Sequence, residues 1–158
     1  MILRNFELGD QEALWEVFYS AIHQVCRKDY TEEQINAWAP DNLEPGIWDS
    51  KIRSVKPIVV VLHNKIVGYS DLQESGLIDH FFVHGDYQRR GIGRILMSEI
   101  LKRGSSKEML YSEVSHTAKP FYESYGFHVV KKQTVNMRGV LINNNVMERH
   151  NYLTKSSS

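Results

Sequence analysis

The sequence predicts a mixed α/β sandwich rather than a doubly wound parallel sheet. Three observations lead there. Strand-length apolar runs and helical runs follow in the order β-αα-βββ-α-β-α-ββ, which clusters strands where a parallel sheet would alternate them with helices. The glycine-bearing junction at 88–94 fits neither phosphate pattern of the parallel folds. A dinucleotide loop wants G-x-G-x-x-G, but Leu96 stands at the third glycine position. A P-loop wants Gly-Lys-Ser/Thr, but Gly93 is followed by Arg94-Ile95. Finally, 158 residues make one domain, read as 1–153, able to bury roughly 70% of its unfolded surface.

Ile2 to Phe6 reads as the first strand. Asp10 can cap a helix whose apolar side is Leu14, Phe18, Ala21, Ile22 and Val25, at spacings of three and four. Thr31-Glu32-Glu33-Gln34 is a capping-box pattern that opens a second helix through Trp38, which Pro40 ends. Ile58 to Leu62 and Ile66 to Leu72 are strands joined at His63-Asn64-Lys65. A turn near Ser75-Gly76 leads into Leu77 to Val83, apolar, β-branched and aromatic as a buried strand should be. Ile92, Leu96, Met97, Ile100 and Leu101 keep helical spacing until Gly104 supplies a stop. Met109 to Val114 is the next strand, and 118–127 is a short helix with Thr117 as N-cap and Gly126 as stop. Phe127 to Val135 and Val140 to Glu148 close the chain, linked by Arg138-Gly139.

Nineteen basic residues balance nineteen acidic ones, so no global field recruits nucleic acid or an anionic membrane. The lone Cys26 excludes an internal disulfide framework and suits a reducing, cytoplasmic setting; it reads as a buried helix hydrophobe. The N-terminus lacks the apolar core of a signal peptide, and no run approaches a membrane span. The tail at 154–158 is expected to be disordered.

The stretch from Val83 to Arg94 describes an anion site. Two glycines let backbone approach a ligand, and the first helical N–H groups lack internal partners at the positive end of the helix dipole. Arg89, Arg90 and Arg94 add three cations around the same turn. Gln88-Arg89-Arg90-Gly91-Ile92-Gly93 resembles the Q-x-x-G-x-G coenzyme loop of the Gcn5-related N-acetyltransferases. Ala118 to Phe127, with Tyr122, Glu123, Gly126 and Phe127, resembles that family's second signature, A-x-x-x-Y-E-x-x-G-F, in the expected order and with a strand between.

The resemblance implies a mixed, mainly antiparallel sheet of six to seven strands flanked by about four helices. It implies acetyl-CoA as cosubstrate, an amine of a small molecule or peptide as acceptor, and a monomer or homodimer. Gln88, Arg89, Arg90, Gly91, Ile92, Gly93 and Arg94 would then hold the diphosphate. The backbone of Phe81, Phe82 and Val83 would pair with the pantetheine arm, one amide serving the oxyanion. Ser115 stands where the family often has an asparagine contacting the coenzyme.

Chemistry sets the remaining demands. The amine must lose a proton, the oxyanion needs a donor, and the leaving thiolate benefits from an acid. Tyr122, at the family's tyrosine position, is the candidate acid, since a phenol keeps its proton at neutral pH. Asp79 is a candidate base because a carboxylate inside an apolar strand is costly without a partner or a function. Glu113 and proton loss through water remain open beside it. Asp79, Phe81 and Val83 should share one strand face, opposite His80, Phe82 and His84. The two histidines lack a third ligand and read as hydrogen-bonded strand residues, with no metal implied. His23, Tyr30 and Trp38 are the candidate acceptor-side residues, Trp38 beside a helix stop where its ring could wall a pocket. A silent acetyl-CoA-binding sensor is the alternative to an enzyme.

Overall fold

Hairpins organise the chain, and their turns are written in backbone that few residues adopt. His63 and Asn64 both take positive φ (49° and 64°), as do Arg138 and Gly139 (52° and 86°). Two consecutive positive φ values match the twist of the flanking strands. The first turn joins β2 (Ile58–Leu62) to β3 (Lys65–Ser70), and the second joins β6 (His128–Met137) to β7 (Val140–His150). A computed structural model describes residues 1–151. The tail expected to be disordered lies outside the described residues.

Among the described residues, seven strands form two antiparallel sheets. The first has the order β1-β2-β3-β4, with β1 at Ile2–Asn5 and β4 at Phe81–Val83. The second has the order β5-β7-β6, with β5 at Met109–Val114. A parallel bridge, Leu77 to Tyr111, joins them. Beyond it, β4 and β5 part. The expected mixed, mainly antiparallel sheet is therefore present, opened along one seam.

The run 77–83 is shorter as a strand than its apolar character predicted. Leu77 and Ile78 pair with β5, Ile78 N–H donating to Tyr111 O at 2.8 Å, before Phe81–Val83 turn to β3. Changing partners midway interrupts the ladder at Asp79 and His80.

Among the described residues, five α-helices cover the sheets. α1 (Gln11–Ser20) continues into a π-helical turn at Ala21–Val25. Asp10 sits at its N-cap, yet its carboxylate accepts from both terminal nitrogens of Arg4 (2.8 and 3.1 Å) rather than capping the helix. α2 (Glu32–Trp38) carries the complete capping box of Thr31 and Gln34. α3 (Pro45–Val55) is a helix that the element order read from the sequence does not contain; its proline occupies the first helical turn. α4 is Ile92–Arg103 and α5 is Lys119–Glu123. Ala118, not Thr117, is the N-cap of α5; the Ser115 hydroxyl accepts from Ala118 N–H while Thr117 donates to Asp29.

Side chains of β2 and β3 sort to two cores. Val59, Ile66 and Tyr69 pack with Leu14, Phe18, Trp48 and Ile52 from α1 and α3. Val60 and Val67 pack with Ile92, Leu96, Met97 and Ile100 from α4 and with Tyr122 from α5. Gly68 sets how closely α4 sits on β3, since a Cβ there would meet Ile92 Cγ2 at 2.8 Å. The N-terminus of α4 is thereby pressed against the sheet where β4 leaves it.

Candidate active site

Where β4 and β5 part, a cleft of about 540 Å³ opens. One wall is Phe81, Phe82 and Val83, and the other is Ser112 to Ser115. Strand alternation decides what the first wall offers. His84 N–H donates to Val67 O on β3, so the backbone groups of Phe82 also turn to β3 while those of Phe81 and Val83 face the cleft. Among the three expected backbone contacts, Phe82 is therefore placed to contribute side chain only. Its ring packs into the α1 core, 4.9 Å from Phe18.

The junction closes one end of the cleft. Gly91 takes φ 81°, a left-handed conformation that favours glycine, and no side chain caps α4. Space beside the Gly91 Cα is open, and the amides of Ile92, Gly93 and Arg94 begin the helix without internal acceptors. Gly93 packs closely on Phe121, where a Cβ would come within 3.3 Å of the ring. Arg89 and Arg94 line the cleft, but Arg90 stacks over Tyr87, 5.0 Å from the ring centroid, and does not. Gln88 holds the loop together: its Nε2 donates to Val83 O at 2.9 Å.

Tyr122 lies at the other wall, 3% exposed and packed between Phe81 (5.8 Å) and Phe127 (5.0 Å). Burial pushes its phenol pKa well up, against the opposing contact of the Ser112 hydroxyl. The group therefore keeps its proton at neutral pH and has one to donate. Uncapped amides, outward β4 backbone and a buried phenol thus lie along one groove.

The sequence matches the Acetyltransferase (GNAT) domain family over residues 26–148. The chain belongs to the GNAT acetyltransferase family. It is 34% identical over 142 residues to the uncharacterized N-acetyltransferase YafP of Escherichia coli K12, covering 90% of this chain and 91% of that protein. A crystal structure of a GCN5-related N-acetyltransferase from Rhodopseudomonas palustris superposes with TM-score 0.89 at 25% identity, covering 94% of both chains. PaiA N-acetyltransferase from Thermoplasma acidophilum, solved with coenzyme A, superposes at TM-score 0.69 and 18% identity, over 94% of this chain and 98% of that one.

The remaining candidates of this acetyltransferase divide. Asp79 lines the cleft, but it is exposed and its Oδ2 pairs with Lys51 Nζ of α3 at 2.7 Å. The buried carboxylate of this region is instead Asp71, which is 2% exposed at the end of β3. Asp71 accepts from His80 N–H at 2.6 Å and from Gln73 Nε2; burial raises its carboxyl to about 6. Its position inside the apolar run Ile66–Leu72 was the available signal. Glu113 also lines the cleft, accepting from Gln133 Nε2 at 2.5 Å.

Of the three residues expected on the acceptor side from sequence, Trp38 alone lines the cleft. The imidazole of His23 stacks on Tyr19 and bonds Ala39 O at 2.8 Å, tying α1 to the end of α2. Tyr30 is buried, donating to Asn143 O and accepting from His116 N–H, and so anchors α2 to β7. Ser115 lines the cleft with its hydroxyl engaged by Ala118. Cys26 is another wall residue, and burial raises its thiol to about 11, which makes it a poor nucleophile.

His80 bonds the Tyr69 hydroxyl at 2.9 Å, and burial lowers its imidazole to about 4. His84 accepts from Asp86 N–H at 3.0 Å. Both are hydrogen-bonded, as their sequence positions suggested. One group that the sequence reading passed over is His128, Glu148 and His150, which the β6–β7 register brings together.

Proposed function

We propose that this enzyme moves the acetyl group of acetyl-CoA to a primary amine of a small molecule or peptide by direct attack. The observation that carries the reading is the groove itself, with an uncapped helix start at one end and a buried phenol beside it. The diphosphate suits the amides of Ile92, Gly93 and Arg94, with Arg89 and Arg94 as counter-charges. The pantetheine arm then runs beside β4 and pairs with the outward backbone of Phe81. The Val83 carbonyl is already engaged by Gln88, which leaves its N–H for the ligand. Neighbours solved with coenzyme A or acetyl-CoA support the choice of donor.

The amine lone pair attacks the thioester carbonyl carbon, and an outward β4 amide donates to the oxyanion that forms. The C–S bond then breaks. The Tyr122 hydroxyl gives its proton to the departing thiolate sulfur. The proton lost by the amine passes to Asp79, Glu113 or water; both carboxylates line the cleft. An acetyl-cysteine intermediate is disfavoured by the raised thiol of Cys26.

Thiol release measured against a panel of amines and peptides tests this reading. Tyr122→Phe should lower kcat by about 10²-fold or more while leaving coenzyme affinity within a factor of a few. Full turnover in Tyr122→Phe would remove the phenol from the mechanism. Tight coenzyme binding without turnover across the panel would favour a silent coenzyme-binding module instead.

A further inference from the structure

The β6–β7 hairpin carries a cluster that has no part in the chemistry above and stands independently of it. His128 on β6 lies directly opposite Glu148 on β7, and His150 follows Glu148 by two residues on the same strand face. One donor atom from each lies within 4.8 Å of the other two. The two imidazoles stack with centroids 5.9 Å apart and planes 20° from parallel, and His150 Nε2 bonds Glu148 Oε1 at 3.2 Å.

We propose that His128, Glu148 and His150 form a seat for one divalent transition-metal cation of the zinc class, with water completing the shell. The donor set of two imidazole nitrogens and one carboxylate oxygen suits zinc, whereas calcium and magnesium prefer oxygen throughout. Two adjacent strands fix the three Cα positions, so the ligands are gathered by the ladder and not by a loop. Closing on an ion needs donor separations of about 3.3 Å, given metal–nitrogen bonds of about 2.0 Å. Side-chain rotation supplies that change, because the Glu148 and His150 side chains are 26% and 43% exposed.

The site lies next in sequence to Phe127, whose ring packs on Tyr122 at 5.0 Å. A bound ion clamps the start of β6 to β7 and thereby steadies that wall. Its effect is on stability, since none of the three ligands lines the cleft.

The test uses untagged, chelator-treated protein titrated with Zn²⁺ by calorimetry and with Co²⁺ by absorption. A single equivalent of Zn²⁺ should bind and raise Tm. His128→Ala and Glu148→Gln should each weaken it about tenfold or more, while His63→Ala, in the exposed β2–β3 turn, should not. The Co²⁺ complex should show the strong visible bands of a low-coordinate, nitrogen-ligated ion. Equal Zn²⁺ affinity in wild type and both ligand variants would overturn the proposal, as would loss on His63→Ala alone. Should a ligand variant fail to fold, the wild-type Co²⁺ spectrum decides: a pale, aquo-like spectrum overturns the site.

Discussion

Asp71 and His80 are neighbours whose titrations oppose each other. Burial holds the Asp71 carboxyl up at about 6 and the His80 imidazole down at about 4. Between pH 4 and 6 the folded chain keeps a proton on Asp71 that the unfolded chain has released, so this contribution to stability falls as pH rises. His80 does the reverse: the unfolded chain takes up a proton there first, so its contribution is lost as pH falls toward 4. Each amounts to something on the order of 3 kcal/mol, and in the wild type they largely cancel. Urea unfolding from pH 4 to 7 should therefore separate them. Asp71→Asn, which keeps an acceptor for His80 N–H, should gain stability relative to wild type as pH rises through the window. His80→Gln should gain relative to wild type as pH falls. Superimposable profiles would mean that neither group is shifted. Sequence rules found the principle but not the residue: a carboxylate in an apolar strand does need partners, yet Asp79 reaches solvent and Asp71 does not.

At the level of elements, the legible parts were those whose signals are local. The capping box of α2, the two hairpin turns and the glycine start of α4 each write their geometry into three or four neighbouring residues. α3 was hidden because Pro45-Gly46 serves equally a turn or a first helical turn, and only the burial of Trp48, Ile52 and Val55 decides. The 77–83 run was misjudged in extent because an apolar strand does not announce a change of partner. His128, Glu148 and His150 were invisible for the same reason, since register across β6 and β7 is not local. Packing between elements yields a direct prediction. Gly68→Ala would drive its Cβ toward Ile92, the first residue of α4. We expect a loss of about 1–3 kcal/mol in urea unfolding, accompanied by weaker coenzyme binding because the amide cradle moves with Ile92. Unchanged stability and unchanged binding would show that α4 does not depend on that close approach.

For the whole molecule, the decisive feature is the seam between the two sheets. Hydrogen bonds from Ile78 and Tyr111 close it at one end, and the donation from Ser112 Oγ to Ile78 O at 2.7 Å marks where it begins to open. A ligand filling the seam ties β4 to β5 through its own contacts, so it should stabilise the fold as a unit. Acetyl-CoA at about 100 times its Kd adds about 2.7 kcal/mol, which should raise Tm by about 5 °C or more. A Tm that ignores the coenzyme would mean that the seam is not its site. Among the described residues no helix is long and apolar enough to cross a membrane.

A crystal structure of the protein with coenzyme A bound would decide where the coenzyme lies. The diphosphate should lie on the amides of Ile92, Gly93 and Arg94 and the thiol beside the Tyr122 hydroxyl. A coenzyme bound elsewhere, with the β4–β5 groove empty, would contradict that placement.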